Sequence, residues 1–336
     1  MLRARLETLH EMGVDAFAWF LSDYGGRDIF DGLEGRIFIG HEAMSLSHLS
    51  EFDVISSIDT EEIIPLLRDL PPSTKVIFEA HSPYFENLEY LKSREFRNLN
   101  IPRILVPSQY QKQVVTRFGI SEQIVGVVPN PLGRQFFSTF QEGAQNKKPI
   151  ILWVGRLDHL KNWKGFLDIL RVMKAKEITF ESIMVGDSTD HIQISHEVYR
   201  EIKKRSISDR IRWFSSLPYK TMARMYDLVR ESGGLVLSTS RNESFGMTLA
   251  EAMSRGCVVF APNEGPFPEY ISSGCNGYLY DRRDLKNAVS WIQRVFGNPE
   301  LQDKIGSMAR VDMERLFHPG VAGNKLFGEL QEILNC

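Results

Sequence analysis

Residues 235–261 read LVLSTSRNESFGMTLAEAMSRGCVVFA, and this stretch decides the fold. An apolar run is followed by a polar turn, a segment of helical composition over Met247–Ser254, and a second apolar run. Short runs rich in Val and Phe that alternate with helical segments are typical of buried parallel strands. The stretch therefore predicts a strand–helix–strand unit whose polar turn lies at the carboxyl end of a strand, where open α/β sheets bind ligands.

The same alternation extends along the whole chain. Amphipathic segments such as Leu160–Lys174 and Lys220–Ser232 separate further apolar runs. Strand and helix alternate twice over, which predicts two doubly wound, Rossmann-like α/β domains with parallel sheets facing a cleft. The apolar runs are Asp15–Leu21, Arg36–Ile39, Asp53–Ser57, Lys75–Ala80, Arg103–Val106, Ile124–Val128, Ile150–Val154, Ser182–Val185, Ile211–Phe214, Leu235–Ser238, Cys257–Ala261 and Gly277–Tyr280.

A polar segment divides the two sets of strands. Phe140–Pro149 reads FQEGAQNKKP, which is linker composition, and 336 residues suffice for two domains. We expect an N-terminal domain over 1–145 and a C-terminal domain over 146–315. Met1–Met12 has helical spacing, whereas a doubly wound domain normally opens with a strand, so we expect the first strand of the N-terminal domain to be missing.

Composition narrows the class of protein. The first 145 residues carry 13 Lys and Arg against 20 Asp and Glu, whereas the remainder carries 27 against 23. The acidic half argues against nucleic-acid binding, and the mildly basic half suits an anionic ligand. Three cysteines without a CxxC pair predict a reducing compartment and no structural metal. With neither a signal peptide nor a membrane span in the pattern, we expect a cytoplasmic protein; weak peripheral association at the inner membrane face stays open.

The turn of the opening stretch holds the first candidate site. Glu243 and Glu251 are eight positions apart, and the helix after Gly246 would present backbone N–H groups of residues 244–247 to a phosphate. Glycine lets the backbone approach a ligand closely. From inside the helix, Glu251 would accept hydrogen bonds from a sugar diol. The simpler interpretation is a capped helix with two ordinary exposed carboxylates.

A second candidate follows another strand. Residues 155–162 read GRLDHLKN, in which Arg156 and Lys161 could clamp a diphosphate and offset the charge that grows as it leaves. The alternative is two solvated surface charges. No Asp-x-Asp motif occurs in the chain, which fits chemistry without a metal ion.

Three weaker candidates lie at other predicted strand ends. His81 follows a strand of the first half and would face the cleft, although a loop histidine bonded to backbone is equally consistent. Residues 263–269, NEGPFPE, form a rigid turn that could be purely structural. The pair Gly186-Asp187 could approach a nucleotide, but a lone Gly-Asp is weak support.

Taken together, these motifs resemble the retaining glycosyltransferases of family 4, which have the GT-B fold. The similarity lies in four places. GRLDHLK at 155–161 resembles the family's phosphate-binding turn, and NESFGMTLAEAMSRGCVVFAP at 242–262 its Glu-x7-Glu signature. NEGPFPEYI at 263–271 resembles its Gly-Gly-x-Pro-Glu turn, and residues 103–132 the segment that leads to the linker.

The resemblance implies a role for each motif. Gly155, Arg156 and Lys161 would bind the diphosphate, and Glu251 would hold the ribose hydroxyls. Glu243 and His81 would lie beside the transferring sugar, and residues 316–336 would return to the first domain as a helix. The remaining donor contacts would come from Ser244, Phe245, Gly246 and Met247.

The implied function is a retaining hexosyl-type glycosyltransferase that uses a nucleotide-sugar donor and needs no cofactor or metal. The expected donor is a UDP-linked sugar. The acceptor is open among a glycan, a lipid-linked molecule and a small molecule, and so is the oligomeric state. A non-catalytic nucleotide-sugar-binding partner or pseudoenzyme is the main alternative, which the missing first strand favours and the presence of Lys161 and Glu243 opposes. A sugar epimerase would want an acid–base pair that the first half lacks, and a dehydrogenase would want a GxGxxG motif.

A basic stretch of the first half could meet an anionic acceptor, although a solvated surface is the favoured interpretation. It consists of Lys92, Arg94, Arg97, Arg103, Lys112 and Arg117.

Overall fold

The computed structural model describes residues 1–23, 27–40, 46–99, 101–139, 148–187 and 191–335. It divides the chain into two units. Unit 1 combines Met1–Arg134 with Leu316–Cys336, and unit 2 is the continuous segment Gln135–Arg315. The division falls some residues before the predicted boundary at 145–146, and most of the predicted linker, residues 140–147, lies outside the described residues.

Each of the predicted apolar runs overlaps a strand, with bounds that agree to within a few residues. The strands are β1 (Ala18–Phe20), β2 (Ile37–Ile39), β3 (Val54–Ile58), β4 (Lys75–Glu79), β5 (Ile104–Val106), β6 (Val125–Val127), β7 (Ile150–Val154), β8 (Glu181–Val185), β9 (Ile211–Phe214), β10 (Leu235–Leu237), β11 (Val258–Pro262) and β12 (Tyr278–Tyr280).

Helices lie between most of these strands. They are α1 (Leu2–Glu11), α2 (Leu46–Leu49), α3 (Arg94–Arg97), α4 (Gln109–Arg117), α5 (Trp163–Ala175), α6 (His191–Lys204), α7 (Met222–Glu231), α8 (Met247–Ser254), α9 (Leu285–Phe296), α10 (Pro299–Phe317) and α11 (Pro319–Leu334). None of them, over the residues described, is both long and apolar enough to cross a bilayer.

Unit 1 contains two parallel sheets in its described residues. β1 pairs with β2, and β3, β4, β5 and β6 form a second sheet in that order. The sequence pattern predicted parallel strands in this half but not which strands pair, and the structure separates β1–β2 from the other four. In both sheets the neighbouring strands are parallel, as the alternation with helical segments requires.

The last helix completes unit 1. α11 buries Leu326 and Ile333 against Leu9 of α1 and against Ile77 and Leu105 of the four-stranded sheet. α1 and α11 approach closely, because a Cβ added at position 323 of α11 would lie 2.2 Å from Thr8 Cγ2. Arg103 Nε contacts Glu329 Oε2 of α11 at 2.7 Å. Apolar packing and an ion pair thus hold the helix on the unit.

Unit 2 is built on one parallel sheet with the order β12-β11-β10-β7-β8-β9 in the described residues. Its core includes α5, whose Phe166, Ile169, Leu170 and Met173 recur at helical spacing and are fully buried. From β7 the chain moves outward to β8 and β9, and it then returns to β10 on the other side of β7. The order therefore reverses between β7 and β10, and such a switch point opens a ligand-binding crevice at the carboxyl ends of the strands.

Candidate active site

The turn from β7 to α5 lies at this switch point. It covers residues 155–162, and the backbone N–H of Lys161 donates to Asp158 Oδ1 at 2.8 Å. Asn162 ends the turn in the left-handed conformation, with φ 53°, directly before the first residue of α5. The backbone of the turn is therefore held by a local hydrogen bond and by the left-handed conformation of Asn162.

Several hydrogen bonds join this turn to the residues that follow β10. Thr239 Oγ1 donates to the carbonyl of Asn162 at 3.0 Å, and Asn162 Nδ2 donates to the carbonyl of Thr239 at 3.0 Å. The backbone N–H of Arg241 donates to the carbonyl of Leu160 at 2.6 Å. Because β7 and β10 are adjacent, these bonds bring together the two motifs that are about 80 residues apart in the chain.

An ion pair lies at the centre of this junction. Lys161 Nζ donates to Glu243 Oε1 at 2.6 Å, and Ser240 Oγ donates to the same oxygen at 2.8 Å. The Glu243 side chain is 10% exposed and that of Lys161 is 21% exposed. A largely buried carboxylate and a cation thus neutralise each other where the sequence predicted a phosphate site.

Arg156 differs from Lys161 in its surroundings. Its side chain is 60% exposed, and its Nε lies 3.5 Å from Asp158 Oδ2. The guanidinium group therefore extends from the turn into solvent, with room to reorient toward an anion.

The N-terminus of α8 lies just after Glu243. Gly246 has φ 88°, and a Cβ there would lie 2.6 Å from Phe267 Cε1, so only glycine fits without strain. No side chain caps the first turn of α8 at Gly246. Tyr270 Oη donates to the carbonyls of Phe245 and Gly246 at 3.2 and 3.3 Å. The turn at 263–269 supplies Phe267, and Tyr270 follows it, so this segment packs against the N-terminus of α8.

The other predicted donor residues share this location. Ser244 and Phe245 are buried, and Met247, the first residue of the helix, is partly exposed. Backbone N–H groups in the first turn of a helix have no intrahelical partner, and the helix dipole favours negative charge there.

Glu251 lies in the second turn of α8, with 7% of its surface exposed. Tyr219 Oη donates to Oε1 at 3.3 Å, and Tyr226 Oη donates to Oε2 at 3.1 Å. Burial raises the pKa of the Glu251 carboxyl to about 7, against the opposing effect of the two tyrosine hydrogen bonds. The carboxyl therefore changes charge in the neutral range, and each oxygen already holds one donor.

His81 belongs to unit 1, two residues after the end of β4. Its Nε2 lies 2.7 Å from Glu79 Oε2, and its backbone N–H donates to Asp59 Oδ1 at 2.8 Å. Within unit 1, Glu79 therefore orients the imidazole ring of His81, and Asp59 holds its backbone. The residues in unit 2 that were predicted to bind the donor form a separate group around β7, β10 and α8.

Sequence reasoning missed several partners in the site. Ser240, Thr239, Tyr219 and Tyr226 carried no motif, and their roles depend on contacts between distant segments. Gly186 has a packing role, because a Cβ there would lie 1.8 Å from the carbonyl oxygen of Gly155. In the described parts of the chain, no group of three or more His, Cys, Asp and Glu side chains is arranged to hold a metal ion.

The second unit matches a known family. The family model described as "Glycosyl transferases group 1" matches residues 135–312. An uncharacterized 41.2 kDa protein in the cps region of Klebsiella pneumoniae is 28% identical over 193 residues, which cover 55% of this chain and 49% of that protein. Sucrose synthase 5 of Arabidopsis thaliana is 31% identical over 162 residues, covering 46% of this chain and 19% of that protein. The chain thus spans at most about half the length of these relatives.

Solved structures extend the similarity to both units. HepE of Anabaena, in complex with UDP and glucose, aligns over 98% of this chain and 95% of its own, with 15% identity and a TM-score of 0.83. A glycosyltransferase from Rickettsia africae aligns over 99% of this chain and 94% of its own, with 18% identity and a TM-score of 0.79. At these identities the similarity establishes the fold, GT-B with two Rossmann-like domains.

Proposed function

Because the chain belongs to the glycosyl transferases group 1 family, we propose that it transfers a sugar from a nucleoside diphosphate sugar to an acceptor hydroxyl. The observation that carries this proposal is the Lys161–Glu243 ion pair at the switch point between β7 and β10, next to the uncapped start of α8. In this proposal, the cation, the helix amides and the glycine turn together bind the doubly charged diphosphate of the donor.

In this proposal, the diphosphate binds between the two motifs. Lys161 and Arg156 supply positive charge, and the first-turn amides of α8 supply hydrogen-bond donors. When the diphosphate approaches Lys161, Glu243 exchanges part of its hydrogen bonding from the ammonium group to the sugar. Such preorganised donors act where charge develops during the reaction, which is where they lower the barrier most.

Glu251 would recognise the ribose. A carboxylate accepts hydrogen bonds from two adjacent hydroxyls, and the buried position of Glu251 strengthens them. UDP is the first nucleotide to test, because the HepE structures were obtained with UDP and with UDP-glucose. His81 would contact the transferring sugar from unit 1.

We propose a retaining reaction without a metal ion. The bond between the anomeric carbon and the β-phosphate oxygen breaks, and Arg156, Lys161 and the α8 amides stabilise the leaving diphosphate. The oxocarbenium-like sugar is then attacked by the acceptor hydroxyl from the face that the phosphate leaves. The acceptor's proton passes to the departing phosphate oxygen, so that no protein nucleophile is needed.

Nucleotide binding is the first test. Calorimetry and thermal unfolding with UDP, GDP, ADP and their sugar conjugates should identify one nucleotide that binds, and a ligand at 100 times its Kd adds about 2.7 kcal/mol of stability. Glu251→Ala should abolish the stabilisation. If no nucleotide stabilises the wild type, the proposed donor site is wrong.

Turnover is the second test. Arg156→Ala should lower the initial rate of donor consumption by about 10²–10³-fold. Arg171→Ala is a matched control, because Arg171 is 61% exposed in the same unit and its Nη2 lies 4.0 Å from Asp168 Oδ1. Near-normal turnover in Arg156→Ala would refute the diphosphate role. Tight nucleotide binding with neither hydrolysis nor transfer would instead indicate a non-catalytic nucleotide-sugar binder.

A further inference from the structure

The two tyrosines that bind Glu251 pack against a third aromatic ring. Phe136 belongs to residues 135–139, the first residues of unit 2, and it is fully buried. Its ring centroid lies 5.7 Å from that of Tyr219, edge to face, and 6.0 Å from that of Tyr226, in a tilted arrangement. One ring is therefore the neighbour of both side chains whose hydroxyl groups donate to the Glu251 carboxyl.

The backbone just after Phe136 is held by a buried guanidinium group. Arg255, which follows the last residue of α8, is 1% exposed. Its Nη1 donates to the carbonyl of Ser138 at 2.7 Å, and its Nη2 donates to the carbonyl of Thr139 at 3.3 Å. Its Nε and Nη2 also donate to the carboxylate of Asp227 in α7 at 2.9 and 2.7 Å. One side chain thus joins the first residues of unit 2 to both helices that surround Glu251.

The tyrosine hydroxyls occupy half of the acceptor capacity of an ionised Glu251. A carboxylate has about four lone-pair sites, two on each oxygen. Tyr219 donates to Oε1 and Tyr226 donates to Oε2, so each oxygen keeps one site for another donor. Burial raises the pKa of the Tyr226 hydroxyl well above its usual range, so this group remains a donor. Because the two bonds go to different oxygens, they also fix the plane of the carboxylate.

We propose that Phe136 is a positioning residue for nucleotide recognition, which holds the two tyrosine rings and thereby orients Glu251 toward the 2′ and 3′ hydroxyls of a ribose. The ribose contact rests on the proposed function, whereas the packing of Phe136 on the tyrosines lies wholly within unit 2 and does not depend on it. A ribonucleoside diphosphate should therefore bind more tightly than its 2′-deoxy form, and Phe136 should determine how large that preference is.

Calorimetry with UDP and 2′-deoxy-UDP measures this preference. The wild type should bind 2′-deoxy-UDP about 10-fold more weakly, because one donor to a charged group is missing. Phe136→Leu keeps an apolar side chain but removes the ring, and it should reduce the ratio of the two dissociation constants to about 3 or less. Phe180→Leu is the matched control, because Phe180 is equally buried in unit 2 and its ring packs beside the guanidinium of Arg210. It should leave the ratio at the wild-type value.

A variant that removes only hydroxyl groups makes the test independent of whether Phe136→Leu folds. Tyr219→Phe/Tyr226→Phe keeps all three rings and should lower the ratio as far as Phe136→Leu does. Adding Phe136→Leu to this double variant should change the ratio no further, because the ring acts through the hydroxyls. The role of Phe136 is overturned if Phe136→Leu lowers the ratio no more than Phe180→Leu, or if the ratio falls again in the triple variant. Equal binding of the two nucleotides by the wild type overturns the ribose contact.

The carboxyl group of Glu251 supplies a readout that needs no nucleotide. Burial raises its pKa to about 7, and the hydrogen bonds from the tyrosines oppose that rise. In protein labelled with ¹³C-glutamate, its NMR signal is identified by its loss in Glu251→Gln. The titration midpoint should lie higher in Phe136→Leu and in Tyr219→Phe/Tyr226→Phe than in the wild type. A midpoint in Phe136→Leu at or below that of the wild type overturns the positioning role. If the wild type binds no nucleotide, the proposed function fails, and this titration still decides whether Phe136 acts on Glu251.

Discussion

The Lys161–Glu243 ion pair allows a quantitative test of what holds the residues after β7 and β10 together. Lys161→Met and Glu243→Gln each remove one charge, and the double variant removes both. Exposed ion pairs contribute about 0.2–1 kcal/mol, whereas breaking a buried pair costs about 3–5 kcal/mol. With side chains 21% and 10% exposed and 2.6 Å between the charged atoms, the pair lies between these limits. We expect a coupling energy of about 1–3 kcal/mol.

Urea unfolding measured by tryptophan fluorescence is a suitable assay. The chain has five tryptophans. Trp19 lies in unit 1 and the others lie in unit 2, so a Trp19→Phe background reports on unit 2. The free energies of unfolding of the four proteins give the coupling energy. Lys164 and Glu197, 47% and 30% exposed, supply a control cycle that should give less than about 1 kcal/mol.

Either of two results would refute this reasoning. A coupling energy below about 0.5 kcal/mol would mean that the pair behaves as a surface ion pair despite its burial. A value equal to that of the control cycle would mean that the position at the switch point has no special energetic role. In both cases the ion pair would not be what stabilises the junction between the residues that follow β7 and β10.

Three further predictions concern unit 2. Burial raises the pKa of the Glu251 carboxyl to about 7, so the folded state binds an extra proton between pH 4.5 and 7, and stability should fall as pH rises through that window. Measured by urea unfolding at a series of pH values, the free energy of unfolding of the wild type should fall by about 3 kcal/mol relative to that of Glu251→Gln across this range. A difference between the two proteins that does not change with pH would contradict the raised pKa. Gly246→Ala should destabilise the protein by about 1–3 kcal/mol more than Gly274→Ala in thermal unfolding, because both residues have positive φ but only the first would contact ring atoms. Arg255→Met should cost about 3–5 kcal/mol in urea unfolding, because it removes the guanidinium group that donates to both carboxylate oxygens of the buried Asp227 at 2.9 and 2.7 Å. Arg255→Met/Asp227→Leu removes both charges and should recover most of the loss; a double variant as unstable as the single one would contradict this explanation.

The sequence predicted the secondary structure of both halves because the relevant signal is local. Each buried strand is a short apolar run, and the helices show regular apolar spacing, so neither needs knowledge of the fold. The motifs at 155–161 and 242–262 could likewise be recognised in the sequence, since each combines a strand end, a glycine and charged residues. The family membership and the GT-B fold bear out that interpretation at the level of the fold.

What the sequence could not predict depends on contacts between distant segments. The place of Glu243 beside the sugar stays a prediction, and the sequence did not predict its ion pair with Lys161, which joins residues 82 positions apart. Of the tyrosines around Glu251, Tyr226 lies in α7 and Tyr219 lies just before it, and Arg5 meets Glu79 across 74 positions. The separation of β1–β2 from the other strands of unit 1 likewise lies outside what the sequence pattern predicts, because strand pairing is not encoded in any single run.

The composition of unit 1 from two distant parts of the chain has a consequence for biosynthesis. α11 supplies Leu326 and Ile333 to the core around Ile77, yet it is made after the whole of unit 2. At about 5–20 residues per second, the ribosome needs about 10–40 s to synthesise the intervening segment. During that interval the nascent first unit exposes an apolar surface that chaperones can bind, whereas unit 2, being continuous, can fold as soon as it has emerged.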